Sequence, residues 1–234
     1  MTLLLLAGTA EARRFAQAFD GPLIASLAGA TKTPRPLPCP TRSGGFGGAE
    51  GLAAYLRAAR IAAVLDATHP FAERISANAH EACLATGTPL RHLRRAAWGL
   101  TPAYPTLEAL IAAVPAGARV LATTGRASGS AWGERPDVQV HLRAIAPPDG
   151  LPPNVHGLAM QPGGSLDDEA ALLRRLGITH LATRDSGGAR PAKLDAAAAL
   201  GVEVLAQAMP PPPPGETVGT VGEALGWASG LRGG

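Results

Sequence analysis

Short apolar runs of strand length recur along this chain, each closing on a polar or glycine turn and followed by a segment of helical period. That alternation predicts an α/β protein. Residues 3–6 and 61–65 are the clearest runs. None alternates polar with apolar, as a strand wetted on one face would, so the sheets are expected to be mostly parallel and covered on both faces. A length of 234 residues with 46% hydrophobic content leaves room for two such units. The expectation is two Rossmann-like three-layer domains, residues 1–100 and 101–234, with a cleft between them.

The first run enters a turn at Gly8, Thr9 and Ala10 and then a helix reaching Phe19. The fingerprint G-x-G-x-x-G is incomplete, with Ala7 and Ala12 where glycines would be expected. The short turn, the Thr9 hydroxyl and the helix N–H groups still suit a phosphate. A second strand over 23–27 opens an interval without acid: no Asp or Glu lies between Asp20 and Glu50, whereas Ser26, Thr31, Lys32, Arg35 and Arg42 do. NAD sites usually place a carboxylate there to hold the ribose 2′-hydroxyl, so a bound dinucleotide would be the 2′-phosphorylated form; a plain exposed loop is the competing account. The following loop ends in Gly44, Gly45, Phe46, Gly47 and Gly48, where backbone lacking Cβ can approach a flat or phosphorylated ligand closely.

A helix over 49–59 leads to the strand at 61–65, whose end carries Asp66, Thr68, His69 and Pro70. Ligands of open parallel sheets bind at that edge. Pro70 fits the first turn of the next helix, and Ile75, Ala79, Ala82 and Cys83 share one face of it. His69 is open to two readings, a ligand contact or a loop-bonding histidine, and Asp66 reads as architectural. A strand over 89–93 closes this set. In the second, helix 107–114 precedes strand 119–122 and its turn TTGR; strand 178–182 ends in TRDSGG, and helix 192–200 carries Lys193 in its first turn. Strand 202–205, a polyproline spacer at 210–214 of roughly 15 Å at about 3.1 Å per residue and a last helix over 221–229 complete the chain.

Net charge is +3, and the first 117 residues are the basic half, with 11 basic and 7 acidic side chains. Nearly all the cations are arginine, which suits an anionic ligand. Aromatic content of 4% and the lack of a basic stripe argue against nucleic acid. No apolar run approaches the roughly 20 residues of a membrane span, so a cytoplasmic protein is expected. Cys39 and Cys83 have no partner spacing and read as free thiols.

The combination LLAGTAEAR, SLAG, TRSGGFGGAEGL, DATHPFA, TTGR and TRDSGG with AKLDAAAALGV resembles the precorrin-6A reductase family over the whole chain. DATHPFA and GGFGG are the discriminating pieces. AGTAEAR and SLAGA stand where the family often shows GGTxEGR and SLAGR. The resemblance implies an oxidoreductase of cobalamin biosynthesis acting on a CH–CH group with NADPH as cofactor and no metal. It would reduce a ring D double bond of the anionic tetrapyrrole precorrin-6A to precorrin-6B, with hand-over to the next pathway enzyme. Gly8, Thr9, Ala10, Ser26, Lys32, Gly44, Gly45, Thr68 and His69 are then the candidate cofactor residues. Arg126, Arg184, Ser186, Gly187 and Lys193 are the candidate substrate anchors, and His69, Asp185 and Lys193 the candidate proton donors. Two alternatives stay open: a cofactor-free tetrapyrrole enzyme resembling uroporphyrinogen III synthase, and a non-catalytic tetrapyrrole carrier.

Overall fold

The computed structural model describes residues 1–29, 36–161 and 163–231. The chain forms two compact units, Met1–Ala96 joined by the segment that starts at Pro210, and Ala97–Met209. The first unit opens with β1 (Thr2–Ala7), α1 (Ala10–Ala18), β2 (Leu23–Leu27), β3 (Thr41–Ser43), α2 (Gly48–Ala58), β4 (Ile61–Ala67), α3 (Glu73–Thr86) and β5 (Leu90–Leu93). The second contains β6 (Ala103–Tyr104), α4 (Leu107–Ala112), β7 (Arg119–Thr123), α5 (Gly129–Trp132), β8 (Gln139–Ala144), β9 (Val155–Ala159), α6 (Leu166–Leu176), β10 (His180–Arg184), α7 (Ala192–Ala199) and β11 (Glu203–Gln207). The chain then returns to the first unit with β12 (Thr217–Val218) and α8 (Val221–Gly230).

Each unit holds a six-stranded sheet, ordered β12-β5-β4-β1-β2-β3 and β6-β11-β10-β7-β8-β9, and every pairing is parallel. The order reverses between β1 and β4 in one sheet and between β7 and β10 in the other, and such switch points are where open α/β sheets form ligand crevices.

The uninterrupted leucine run of β1 explains its central place. Leu3 and Leu5 pack with Phe15 of α1 and Ala224 and Ala228 of α8, while Leu4 and Leu6 pack with Leu52 and Leu56 of α2 and Ala79 and Ala82 of α3. A period of two thus buries both faces, at about 1.5–3 kcal/mol for each fully buried leucine. In the second unit Val120 and Val140 pack with Trp132 on one face, and Leu121 with Leu172, Leu173 and Leu194 on the other.

The boundary expected near residue 100 needs correction. Residues 101–234 do not form one domain, because β12 pairs with β5 and α8 covers the β1 face of the first sheet. The polyproline stretch carries the chain back rather than spacing two elements of one domain. Pro70 is also displaced from its expected place: α3 starts at Glu73, and Pro70 lies in a preceding turn closed by the Ala72 N–H donating to the His69 carbonyl at 2.7 Å. Sequence reading passed over β8, β9 and α6. Yet α6 carries a full capping box, with Ser165 and Asp168 each bonding the other's backbone N–H, and a left-handed Gly177 at its end. Cys39 and Cys83 are both free, and burial with the nearby Asp66 carboxylate pushes the Cys83 thiol up to about 12. Among the described residues no helix is long and apolar enough to cross a membrane.

Candidate active site

In the first unit the carboxyl ends of β1, β2 and β4 open onto a cavity of about 570 Å³, a size usual for small-molecule sites. Ala7, Ser26, Thr68, the glycine loop at 44–48, and Arg74 and Asn78 of α3 line it. The lining contains no acidic side chain among the described residues.

The glycine loop is shaped by its own sequence. Gly44, Gly47 and Gly48 have φ of 100°, 82° and 93°, conformations that a side chain would strain. Arg42 holds the loop from within: its Nη1 donates to Ser26 Oγ and to the Gly44 carbonyl, both at 2.9 Å, and its Nη2 to the Gly45 carbonyl at 3.0 Å. The guanidinium lies 3.8 Å from the centroid of the Phe46 ring, a cation–π contact. The loop also rests on α2, where a Cβ at Gly51 would run into the Phe46 carbonyl.

Of the expected cofactor residues, Ser26, Gly44, Gly45 and Thr68 line this cavity. Gly8, Thr9 and Ala10 form the adjacent β1–α1 turn, with Gly8 and Ala10 exposed. Thr9 is the helix cap: its hydroxyl accepts from Ala12 N–H at 3.1 Å and donates to the Ala67 carbonyl at 2.8 Å, so it ties β4 to α1 rather than standing open to a phosphate. His69 Nδ1 accepts from Phe71 N–H at 3.3 Å, which fits the loop-bonding reading. Lys32, like Thr31 and Arg35, lies outside the described residues.

In the second unit the ends of β7 and β10 hold the other cluster. Lys193 Nζ donates to Thr123 Oγ1 at 2.6 Å and to Thr183 Oγ1 at 2.7 Å. The residue as a whole is half-buried, but its ammonium is enclosed, and that desolvation, with Arg143 nearby and Glu169 opposing, brings its pKa down to about 7. Arg143 and Glu169 form a buried ion pair in which Nη1 donates to both carboxylate oxygens at 2.8 Å. Arg184 Nε donates to Gln207 at 3.2 Å, Ser186 Oγ to the Arg184 carbonyl at 3.4 Å, Gly187 takes φ of 64°, and Arg126 is exposed.

Asp185 is placed differently from a proton donor. Its Oδ1 accepts from Trp98 N–H at 2.8 Å, and its Oδ2 from Gly99 and Leu100 N–H at 3.0 and 3.3 Å. Three backbone donors make it an anchoring carboxylate for residues 98–100.

Arg74, Asn78, Arg143 and Glu169 escaped the sequence reading. The i, i+4 spacing of Arg74 and Asn78, one turn past DATHPFA, was a usable signal, and Glu169 sits in the first turn of the overlooked α6. Arg143 had no signal, because β8 itself was not recognised.

Residues 2–229 match the family described as precorrin-6x reductase CbiJ/CobK. A precorrin-6A reductase of Rhodococcus erythropolis is 41% identical over 242 residues, covering 98% of each chain. One of Mycobacterium tuberculosis is 42% identical over 239 residues, again covering 98% of each. The solved structure of a CobK precorrin-6A reductase superimposes with a TM-score of 0.92 at 37% identity, over 99% of this chain and 97% of that one.

Proposed function

Because this chain belongs to the precorrin-6x reductase CbiJ/CobK family, we propose that it transfers a hydride from NADPH to a ring D double bond of precorrin-6A, giving precorrin-6B in cobalamin biosynthesis. The observation that carries the cofactor assignment is the cavity at the first sheet's switch point, whose described lining lacks any acid and includes Arg74. A dinucleotide phosphate there would meet glycine backbone and the Arg74 cation and no carboxylate at the end of β2, a setting that favours the 2′-phosphorylated form. When bound, that cofactor supplies the hydride; the protein supplies binding and alignment.

Lys193 is the proton donor in this reading. Its ammonium is fixed by two threonine hydroxyls at the second sheet's switch point, and a pKa of about 7 lets it release a proton near neutral pH. Asp185 anchors residues 98–100 and is not retained for that role, whereas His69, whose Nδ1 accepts from its own turn, stays as the second candidate donor. Arg126 and Arg184, with Ser186 and Gly187, are the groups that would grip the substrate's carboxylates, each charge-assisted bond contributing roughly 1.5–3 kcal/mol. The cofactor-free alternative is not favoured by a full-length likeness to reductases.

The test is fluorescence titration of the purified protein with NADPH and NADH, followed by turnover of precorrin-6A watched in the ultraviolet and visible. Preferential NADPH binding and one NADPH consumed per macrocycle are expected. No nicotinamide binding would refute the assignment. Arg42→Ala adds detail: loss of NADPH affinity alone marks a phosphate contact, and equal loss for both cofactors marks support of the glycine loop.

A further inference from the structure

His92 is 1% exposed in the middle of the first unit, on β5 beside the end of β4, where an apolar residue would pack without the cost of burying two polar nitrogens. Both nitrogens are used. Nδ1 lies 2.8 Å from Asp66 Oδ2, and Nε2 lies 3.1 Å from the Pro214 carbonyl, which can only accept. Gly215, which follows Pro214, takes φ of 115°, a backbone conformation that a side chain would strain.

Asp66 passes the constraint onward. Burial alone would raise its pKa, yet the bonds from His92, Ser76 and Thr68 outweigh that and hold it below the usual carboxylate range. Its Oδ1 accepts from Thr68 N–H at 3.1 Å and from the Thr68 hydroxyl at 2.7 Å. Thr68 lines the cavity, and the backbone of Thr68 and His69 lies against the β1–α1 turn, 3.6 and 3.5 Å from where a Cβ of Gly8 would stand.

We infer that His92 is a positioning residue of the dinucleotide site: it holds Asp66, and through Asp66 fixes the Thr68–His69 backbone that shapes the cavity and the β1–α1 turn. The inference rests on the NADPH reading given above. Replacing His92 by an apolar residue leaves Asp66 Oδ2 buried without that partner, and a carboxylate that turns to find another donor gives up its bonds to Thr68.

NADPH dissociation constants of the full-length protein and its variants test this. His92→Phe and Asp66→Leu, each of which removes the bond between the two side chains, are expected to weaken NADPH binding about tenfold, and the double variant no more than the weaker single one, because the two act in series. His92→Asn, whose amide can still donate to Asp66, is expected to recover most of the loss. Thr68→Val cuts the hydroxyl half of the link without stranding a buried charge, and on the His92→Asn background it should add little to its own effect. Leu23→Ala, a core change at the amino end of β2 and outside the network, controls for stability: lowered thermal stability with unchanged NADPH affinity is expected. Variants that bind NADPH like the wild type, or effects of His92→Phe and Asp66→Leu that simply add, overturn the inference while leaving the NADPH reading intact. Failure of the wild type to bind NADPH overturns both.

Discussion

Lys193 is an ammonium placed where water is scarce, and this has a sign that can be measured. Below about pH 7 it is charged in both the folded and unfolded chain, so the cost of enclosing the charge is present in full. Between about 7 and 10.5 the unfolded chain still holds the proton and the folded chain does not, so stability rises with pH across that window. Lys193→Met should flatten the rise, read as urea midpoints at intervals from pH 7 to 10. In turnover, a proton donor of this kind makes the wild-type rate fall as pH climbs past about 7. Lys193→Arg, which keeps the charge but cannot release the proton, should not restore the rate. Asp185, His69 and Thr9 show the reverse lesson of the residue scale. Each is a chemical group suited by type and position, and each makes a bond to backbone that position in the chain does not announce.

At the scale of elements, the glycine loop and α2 act as one piece. Alanine in a helix interior normally stabilises by about 1 kcal/mol relative to glycine. At Gly51 the added methyl meets the Phe46 carbonyl, a backbone atom that cannot swing aside, so the loop must shift. Gly226 in α8 has open space around its missing Cβ. Gly226→Ala should therefore raise the melting temperature without touching NADPH affinity. Gly51→Ala should weaken NADPH binding at unchanged helix content by circular dichroism, and an unaltered affinity would show that the loop does not form the site. The central strands β1 and β4 were legible because a strand buried on both faces reads as an apolar run, and β7 and β10 because each shorter apolar core ends in a polar glycine turn. The edge strands β3, β6 and β12, of three, two and two residues, were not, since no periodicity can be read over so few positions.

For the whole molecule the decisive feature is the return of the chain after residue 209. β12 supplies an edge of the first sheet, α8 covers Leu3, Leu5 and Phe15, and the Pro214 carbonyl receives His92. A chain ending at Met209 should lose amide-exchange protection throughout β1, β4 and β5, with β7 and β10 still protected. Equal protection in both units would show the return segment to be dispensable. By itself the sequence determined the α/β class, the strands and turns that make the two switch points, the absence of acid after β2 and the glycine loop, because each of these is written in neighbouring residues. Tertiary structure alone decided which sheet the last strand joins, which cations and carboxylates pair, and that His92 stands between Asp66 and Pro214. Those are hydrogen bonds between residues 26 and 122 positions apart, and no local period or spacing encodes contacts of that range.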